Sequence, residues 1–137
     1  MTAVPLSLMF RGAERLDAVT DEIKEVYDAM RAGESASTSA INPDGWAAVV
    51  EPVLAAGRDA LVITFSSGLS TTYQSAVIAA QELQEKYTDR KVLVVDSLCA
   101  SLGQGLLCHY AAKKRDEGLS LEQLAAWVED HKQNLCQ

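Results

Sequence analysis

The sequence is poor in positive charge, aromatic rings and cysteine, and each shortage closes a class of function. Lys and Arg number 12 against 19 Asp and Glu, giving a formal net charge of −7. Such a chain offers no basic face to a phosphate backbone, so nucleic acid is excluded as a partner. The same acidity disfavours an anionic membrane surface. Three cysteines occur, Cys99, Cys108 and Cys136, with no C-x-x-C pair. An odd count without a framework reads as reduced thiols in a cytoplasmic protein. Cys99 and Cys108 stand in apolar helical surroundings and are expected as small buried hydrophobes. The two histidines, His109 and His131, cannot form a metal cluster with scattered cysteines, so no metal site is expected. No apolar run approaches the roughly 20 residues of a membrane span, and no signal-peptide pattern opens the chain. Membrane insertion is therefore not expected. What remains is ordinary: 137 residues, 48 % hydrophobic, read as a single domain over residues 1–137 that folds without a staple.

Strand and helix patterns alternate along the chain. Residues 4–10 alternate apolar and polar, as a strand does, with Pro5 placing its start at an edge. Arg11-Gly12-Ala13 reads as a turn. Thr20 is the expected cap of a helix with Asp21 and Glu22 in its first turn. Its inner stripe is Ile23, Val26, Tyr27 and Met30, and Gly33 ends it. The hydroxyl-rich stretch Glu34–Ala40 reads as a loop or short strand. Asn42-Pro43 starts a helix with buried face Trp46, Val49, Val50, Val53 and Leu54, which Pro52 should kink or shorten. Residues 60–65 and Lys91–Val95 are continuous apolar runs, the pattern of parallel strands buried on both faces. Helices to about Tyr87, from Ser101 to Lys114, and after the Ser120/Gln123 capping box complete the order. The last helix turns Leu121, Leu124, Ala125 and Val128 inward. The fold class is α/β, a three-layer α/β/α arrangement on a mainly parallel sheet.

Chemistry concentrates in Ser66-Ser67-Gly68-Leu69-Ser70-Thr71, where a strand ends and a helix begins. Such a turn directs hydroxyls and unpaired helix N–H groups at one point, and the helix dipole favours negative charge there. Ser70 is also a good helix cap, but one cap does not need three further small residues. Gly68 can take a positive φ and admit a ligand to the backbone. The Asp96–Ser97 corner lies at the same end of the sheet, where ligands bind in such folds. Gly103-Gln104-Gly105 lacks a preceding strand and any completing glycine or lysine, so it is neither a dinucleotide fingerprint nor a P-loop. Its glycines read as clearing space for a neighbour or a bound chain. Ser67, His109 and Asp96 assemble a triad on paper only; the G-x-S-x-G elbow is absent. No catalytic residue is assigned.

Phe65-Ser66-Ser67-Gly68-Leu69-Ser70-Thr71-Thr72-Tyr73-Gln74-Ser75-Ala76 resembles the S-S-x-L-S-G-T-Y-x-S-A signature of DegV proteins. Val95-Asp96-Ser97-Leu98-Cys99-Ala100-Ser101-Leu102-Gly103-Gln104-Gly105 is similar to their V-D-S-x-x-A-S-x-G-x-G segment. Ser37-Thr38-Ser39 sits where the family has its T-S-Q-P loop. The resemblance implies the Rossmann-like N-terminal lobe of the DegV fold and a long-chain fatty acid such as palmitate or oleate as ligand. It implies no enzymatic chemistry, and for some members presentation of the acid to a fatty acid kinase. Carried over, Thr38 and Ser70 would bond the carboxylate, with Ser39, Ser66, Ser67, Gly68 and Thr71 supporting. The acyl tail would run into the lobe interior past positions such as Ala76, Ala80, Leu102 and Gly105. Neutral hydroxyls and amides need no lysine to hold a carboxylate, at about 1.5–3 kcal/mol per charge-assisted bond.

Four departures qualify the match. The family's T-S-Q-P reads Thr38-Ser39-Ala40-Ile41, and the glycine after its L-S is Thr71. The chain is also expected to start after the family's first strand, which carries D-S-T, and to lack its C-terminal lobe. Two other readings stay open on the residues alone. One is a flavodoxin-like phosphate or FMN binder, because Ser66–Ser70 is close to the T-x-T-G-x-T phosphate loop. The other is a non-catalytic interaction module.

Overall fold

The structure, a computed structural model, describes residues 1–16 and 20–135, and for residues 16 and 20–22 the backbone only. The expected cap of Thr20 with its acidic first turn, and Cys136, lie outside what is described. Two compact units, Met1–Ile41 and Asn42–Gln137, divide the chain.

The first unit holds β1 (Ser7–Phe10), β2 (Ala13–Leu16), α1 (Thr20–Arg31) and β3 (Ala36–Ser39). The strands form an antiparallel sheet in the order β2-β1-β3. The hydroxyl-rich stretch is therefore an edge strand, with Thr38 opposite Leu8 and Ser39 opposite Ser7. The turn at Arg11-Gly12 opens a hairpin whose return strand, β2, carries Glu14 and Arg15 and no apolar alternation to betray it. Phe10, Val26 and Ala29 form the core, with Leu8 and Ala36 packed against them. Tyr27 and Met30, expected in α1's inner stripe, are 53 % and 46 % exposed. Three short strands cover only a narrow stripe of the helix, and Ala29 fills it where Met30 would have been too far round.

In the second unit the sequence pattern and the structure agree closely. α2 (Pro43–Ala55) starts at Asn42, whose side chain accepts the Gly45 amide, and ends less than a turn beyond Pro52. Gly57, at φ +75°, closes it. β4 (Ala60–Thr64) and β5 (Val92–Asp96) pair in parallel, Leu61 beside Leu93 and Ile63 beside Val95. Between them runs α3 (Thr72–Lys86), and after them α4 (Ser101–Asp116) and α5 (Leu121–His131). The Ser120/Gln123 capping box is made in full.

Because successive side chains of a strand point to opposite faces, the two apolar strands fill two cores. Val62 and Val92 meet Trp46, Val50, Ala76 and Leu83 of α2 and α3. Leu61, Ile63 and Val95 meet Leu107, Ala111, Leu124 and Val128 of α4 and α5. Helices thus cover both faces of the parallel pair, the three-layer α/β arrangement expected. The parallel sheet itself is small, two strands.

Candidate functional site

The loop between β4 and α3 is built by its own backbone. Ser70 and Leu69 donate their amides to the Ser66 carbonyl at 3.2 and 3.1 Å, closing a turn. The Gly68 amide reaches Ser66 Oγ at 3.3 Å. Ser66 is buried, and its own amide donates to the Cys99 carbonyl at 3.0 Å. Gly68 does not use a positive φ, and a Cβ there would meet Ser66 Oγ at an ordinary 3.5 Å. The left-handed residues are instead Leu98 (φ +55°) and Ser101 (φ +48°), on the corner facing this loop.

Ser70 does not occupy the cap position of α3, which falls on Thr71, whose side chain makes no cap bond. Ser70 Oγ nevertheless takes the Thr72 amide at 3.2 Å and pairs with Thr72 Oγ1 at 2.8 Å. Thr72 is 1 % exposed, and its carbonyl accepts the buried Trp46 Nε1–H at 3.2 Å. With the Thr72 hydroxyl as donor, Ser70 Oγ has both lone pairs engaged and its own proton left to give. The first amide to reach back along α3 is Ser75, bonded to the Thr71 carbonyl at 3.1 Å. The amides of Tyr73 and Gln74 precede it and, like all first-turn amides, lack an intrahelical acceptor. An anion seated here meets those two amides, the Ser70 hydroxyl and the positive end of the dipole.

Asp96 ties this loop to the end of β5. Its Oδ1 accepts the Ser67 amide and the Leu98 amide, each at 3.1 Å. Burial opposes its ionisation, but the Ser67 hydroxyl, the Leu98 and Ser67 amides and the charge of Lys132 outweigh that and hold the carboxyl below the usual carboxylate range. Lys132 Nζ donates to the Asp96 carbonyl at 3.0 Å. Beside it, Ser97 Oγ accepts the Cys99 amide at 3.0 Å, both residues being buried. Thr72 and Lys132 were both invisible to sequence reasoning. Thr72 reads as a mere continuation of the hydroxyl run, and Lys132 lies 36 residues from the atom it binds.

The remaining expected residues distribute unevenly. Ser66, Ser67, Gly68, Ser70 and Thr71 share the loop in the second unit, whereas Thr38 and Ser39 belong to β3 in the first. Thr38 and Ser39 are exposed and, as neighbours in a strand, point to opposite faces of it. Ala76 is buried, but the space it lines with Trp46, Val50, Ala80 and Leu83 has no room for a water molecule. Leu102 is 87 % exposed and a Cβ at Gly105 would meet nothing. The inward positions of α4 are Leu107 and Ala111, one turn apart, which leaves Leu102 on another face and corrects its expected place in the interior. Cys99 is buried; Cys108 is partly so, and burial pushes its thiol up. Asp96 is engaged by amides, and the ring contact of His109 is with Tyr110 at 5.6 Å. The paper triad is thus not assembled among the described residues. Those residues contain no group of three metal-ligating side chains and no helix long and apolar enough to cross a membrane.

Comparison with known proteins places this geometry in a family. The family model "Uncharacterised protein, DegV family" matches residues 1–137. The DegV domain-containing protein CPE0026 of Clostridium perfringens is 40 % identical over 125 residues, which are 90 % of this chain and 43 % of that protein. Among solved structures, a fatty-acid-binding DegV family protein from Thermus thermophilus matches with a TM-score of 0.83 and 34 % identity. That match covers 95 % of this chain and 45 % of the other. A stearic acid-binding protein from Eubacterium ventriosum matches at 0.81 and 28 %, over 92 % of this chain and 44 % of that one. The chain spans less than half the length of each of these relatives. With its signature loop, its strand-end corner and its whole length matched, the chain belongs to the DegV family.

Proposed function

We propose that this chain binds a long-chain fatty acid, its carboxylate seated at the Ser66–Thr71 loop, and that it performs no chemistry on it. The observation that carries the reading is the end of α3. Ser70 Oγ accepts the Thr72 amide and pairs with the Thr72 hydroxyl, an arrangement that leaves the Ser70 proton for a ligand when Thr72 is the donor, beside amides without an intrahelical acceptor. That arrangement suits a carboxylate and supplies no nucleophile–base pair. Support also comes from the Thermus thermophilus relative, a fatty-acid-binding protein at 34 % identity. The resemblance assigns Thr38 to the same carboxylate and Ser39 to its surroundings. We further propose that the chain corresponds to the N-terminal lobe of its longer relatives, works in the cytoplasm and hands its ligand to a fatty acid kinase.

Burying a long alkyl chain contributes about 0.8 kcal/mol per CH₂, so the tail dominates affinity and the loop sets orientation. The space between the sheet and α2 and α3 is filled; a tail entering there must part those helices from Val62 and Val92. Native mass spectrometry after incubation with palmitate or oleate tests the reading. A one-to-one adduct, weakened by Ser70→Ala, is the expected result. A chain that stays free of palmitate and oleate overturns it, and uptake of FMN with a yellow colour would install the phosphate-binding alternative.

A further inference from the structure

We infer that Asp96 is a positioning residue that sets the shape of the anion-binding loop by joining the two strand ends through one carboxylate oxygen. The inference rests on the fatty-acid reading above for its ligand, but its geometry stands independently. Oδ1 of Asp96 accepts Ser67 N–H from the loop after β4 and Leu98 N–H from the corner after β5, both at 3.1 Å. A second link runs parallel to it, from the Ser66 amide to the Cys99 carbonyl at 3.0 Å. The corner so joined holds two of the non-glycine residues with left-handed backbone, Leu98 and Ser101; Arg11, in the first unit, is another. A conformation of that kind persists only when its surroundings over-determine it.

The placement of a carboxylate beside a seat for a carboxylate needs a reason. Like charges repel, so an acid retained here must do something that outweighs the repulsion. Two converging amides bond the carboxylate, and Lys132, which pairs with Glu129 at 2.6 Å and donates to the Asp96 carbonyl at 3.0 Å, adds a smaller favourable charge nearby. What the acid provides is a two-amide acceptor that fixes Ser67, three residues before Ser70. Asn keeps an oxygen in that position; Ala does not.

The test compares Asp96→Asn and Asp96→Ala by amide hydrogen exchange and by palmitate binding. In Asp96→Ala the Ser66–Ser70 amides should exchange at least about tenfold faster and palmitate affinity should fall by at least about tenfold, the range for losing charge-assisted bonds. Asp96→Asn should recover both to within about threefold. A structural acid with no positioning role would lower thermal stability in both variants without this split. Alanine behaving as wild type, or asparagine behaving as alanine, overturns the inference. If the alanine variant does not fold, wild type and Asp96→Asn decide it. The Ser67 and Leu98 amides must be protected in both, and unprotected amides in wild type overturn it. A wild-type chain that ignores palmitate removes the fatty-acid reading, while the exchange comparison still decides the role of Asp96.

Discussion

Two hydroxyl-rich stretches of nearly the same composition, Ser35–Ser39 and Ser66–Thr72, become different objects. The first is an edge strand, its backbone spent on a ladder with β1 and its hydroxyl side chains exposed. The second is a turn folded on the Ser66 carbonyl and fixed from outside by Asp96 and Trp46. Hydroxyl content alone therefore does not set the backbone chemistry of a stretch. The start of a helix at the second loop leaves amides without intrahelical acceptors. In a strand each amide that faces its neighbour is consumed.

Breaking the supports of each stretch tests that contrast. Truncating the cores beneath them has the largest expected effect: Phe10→Ala under the edge strand and Leu107→Ala in the second unit. Each should cost about 2–5 kcal/mol of stability, read by denaturant unfolding. A Phe10→Ala protein as stable as wild type would mean the small core of the first unit is not holding β1. Next comes Ser70→Ala, which removes both the Thr72 amide acceptor and the proposed carboxylate donor. It should weaken palmitate binding by about tenfold, roughly 1.4 kcal/mol, and lower stability by about 1 kcal/mol. Thr38→Ala sharpens the comparison from the other side. Being exposed on an edge strand, it should change stability by less than about 0.5 kcal/mol. Any loss of palmitate affinity there then reports ligand contact alone.

The smallest effect concerns acid. The Asp96 carboxyl is held below its usual range in the folded protein, burial being outweighed by the Ser67 hydroxyl, the two amides and Lys132. A folded-state pKa below the unfolded one gives stability that is fully present above about pH 4 and lost as pH falls through the folded value. Thermal midpoints measured between pH 7 and pH 3 should therefore fall less in Asp96→Asn than in wild type. An identical fall in both would show that other carboxylates carry the whole acid transition.

Legibility followed the kind of signal each element carried. Asn42-Pro43 and the Ser120/Gln123 box are local chemistry, and each marked its helix start correctly. The continuous apolar runs at β4 and β5 announced strands covered on both faces, and both cores are there. The antiparallel hairpin escaped because Ala13–Leu16 carries two adjacent charges, Glu14 and Arg15, and no apolar alternation. The stripe of α1 was misjudged at Tyr27 and Met30, since periodicity names a face only to within a residue, and the width of the facing sheet decides the rest. Within the candidate site the hydroxyls were legible and their supports were not. Nothing in the string of letters links Ser67 to Asp96, or Asp96 to Lys132, 36 residues on.

By itself, the sequence determined that this is an α/β chain of the DegV family with a hydroxyl-rich turn between a buried strand and a helix. Those properties follow from periodicity, capping chemistry and a motif, all of which act over a few residues. Only the tertiary structure decided that Ser70 is oriented by Thr72 and that Asp96 fixes the loop. It also decided that Leu102 faces outward while Ala76 is packed closed. These depend on which groups the crossover β4-α3-β5 brings side by side, and parallel pairing joins residues about thirty apart, as in Thr64 with Asp96.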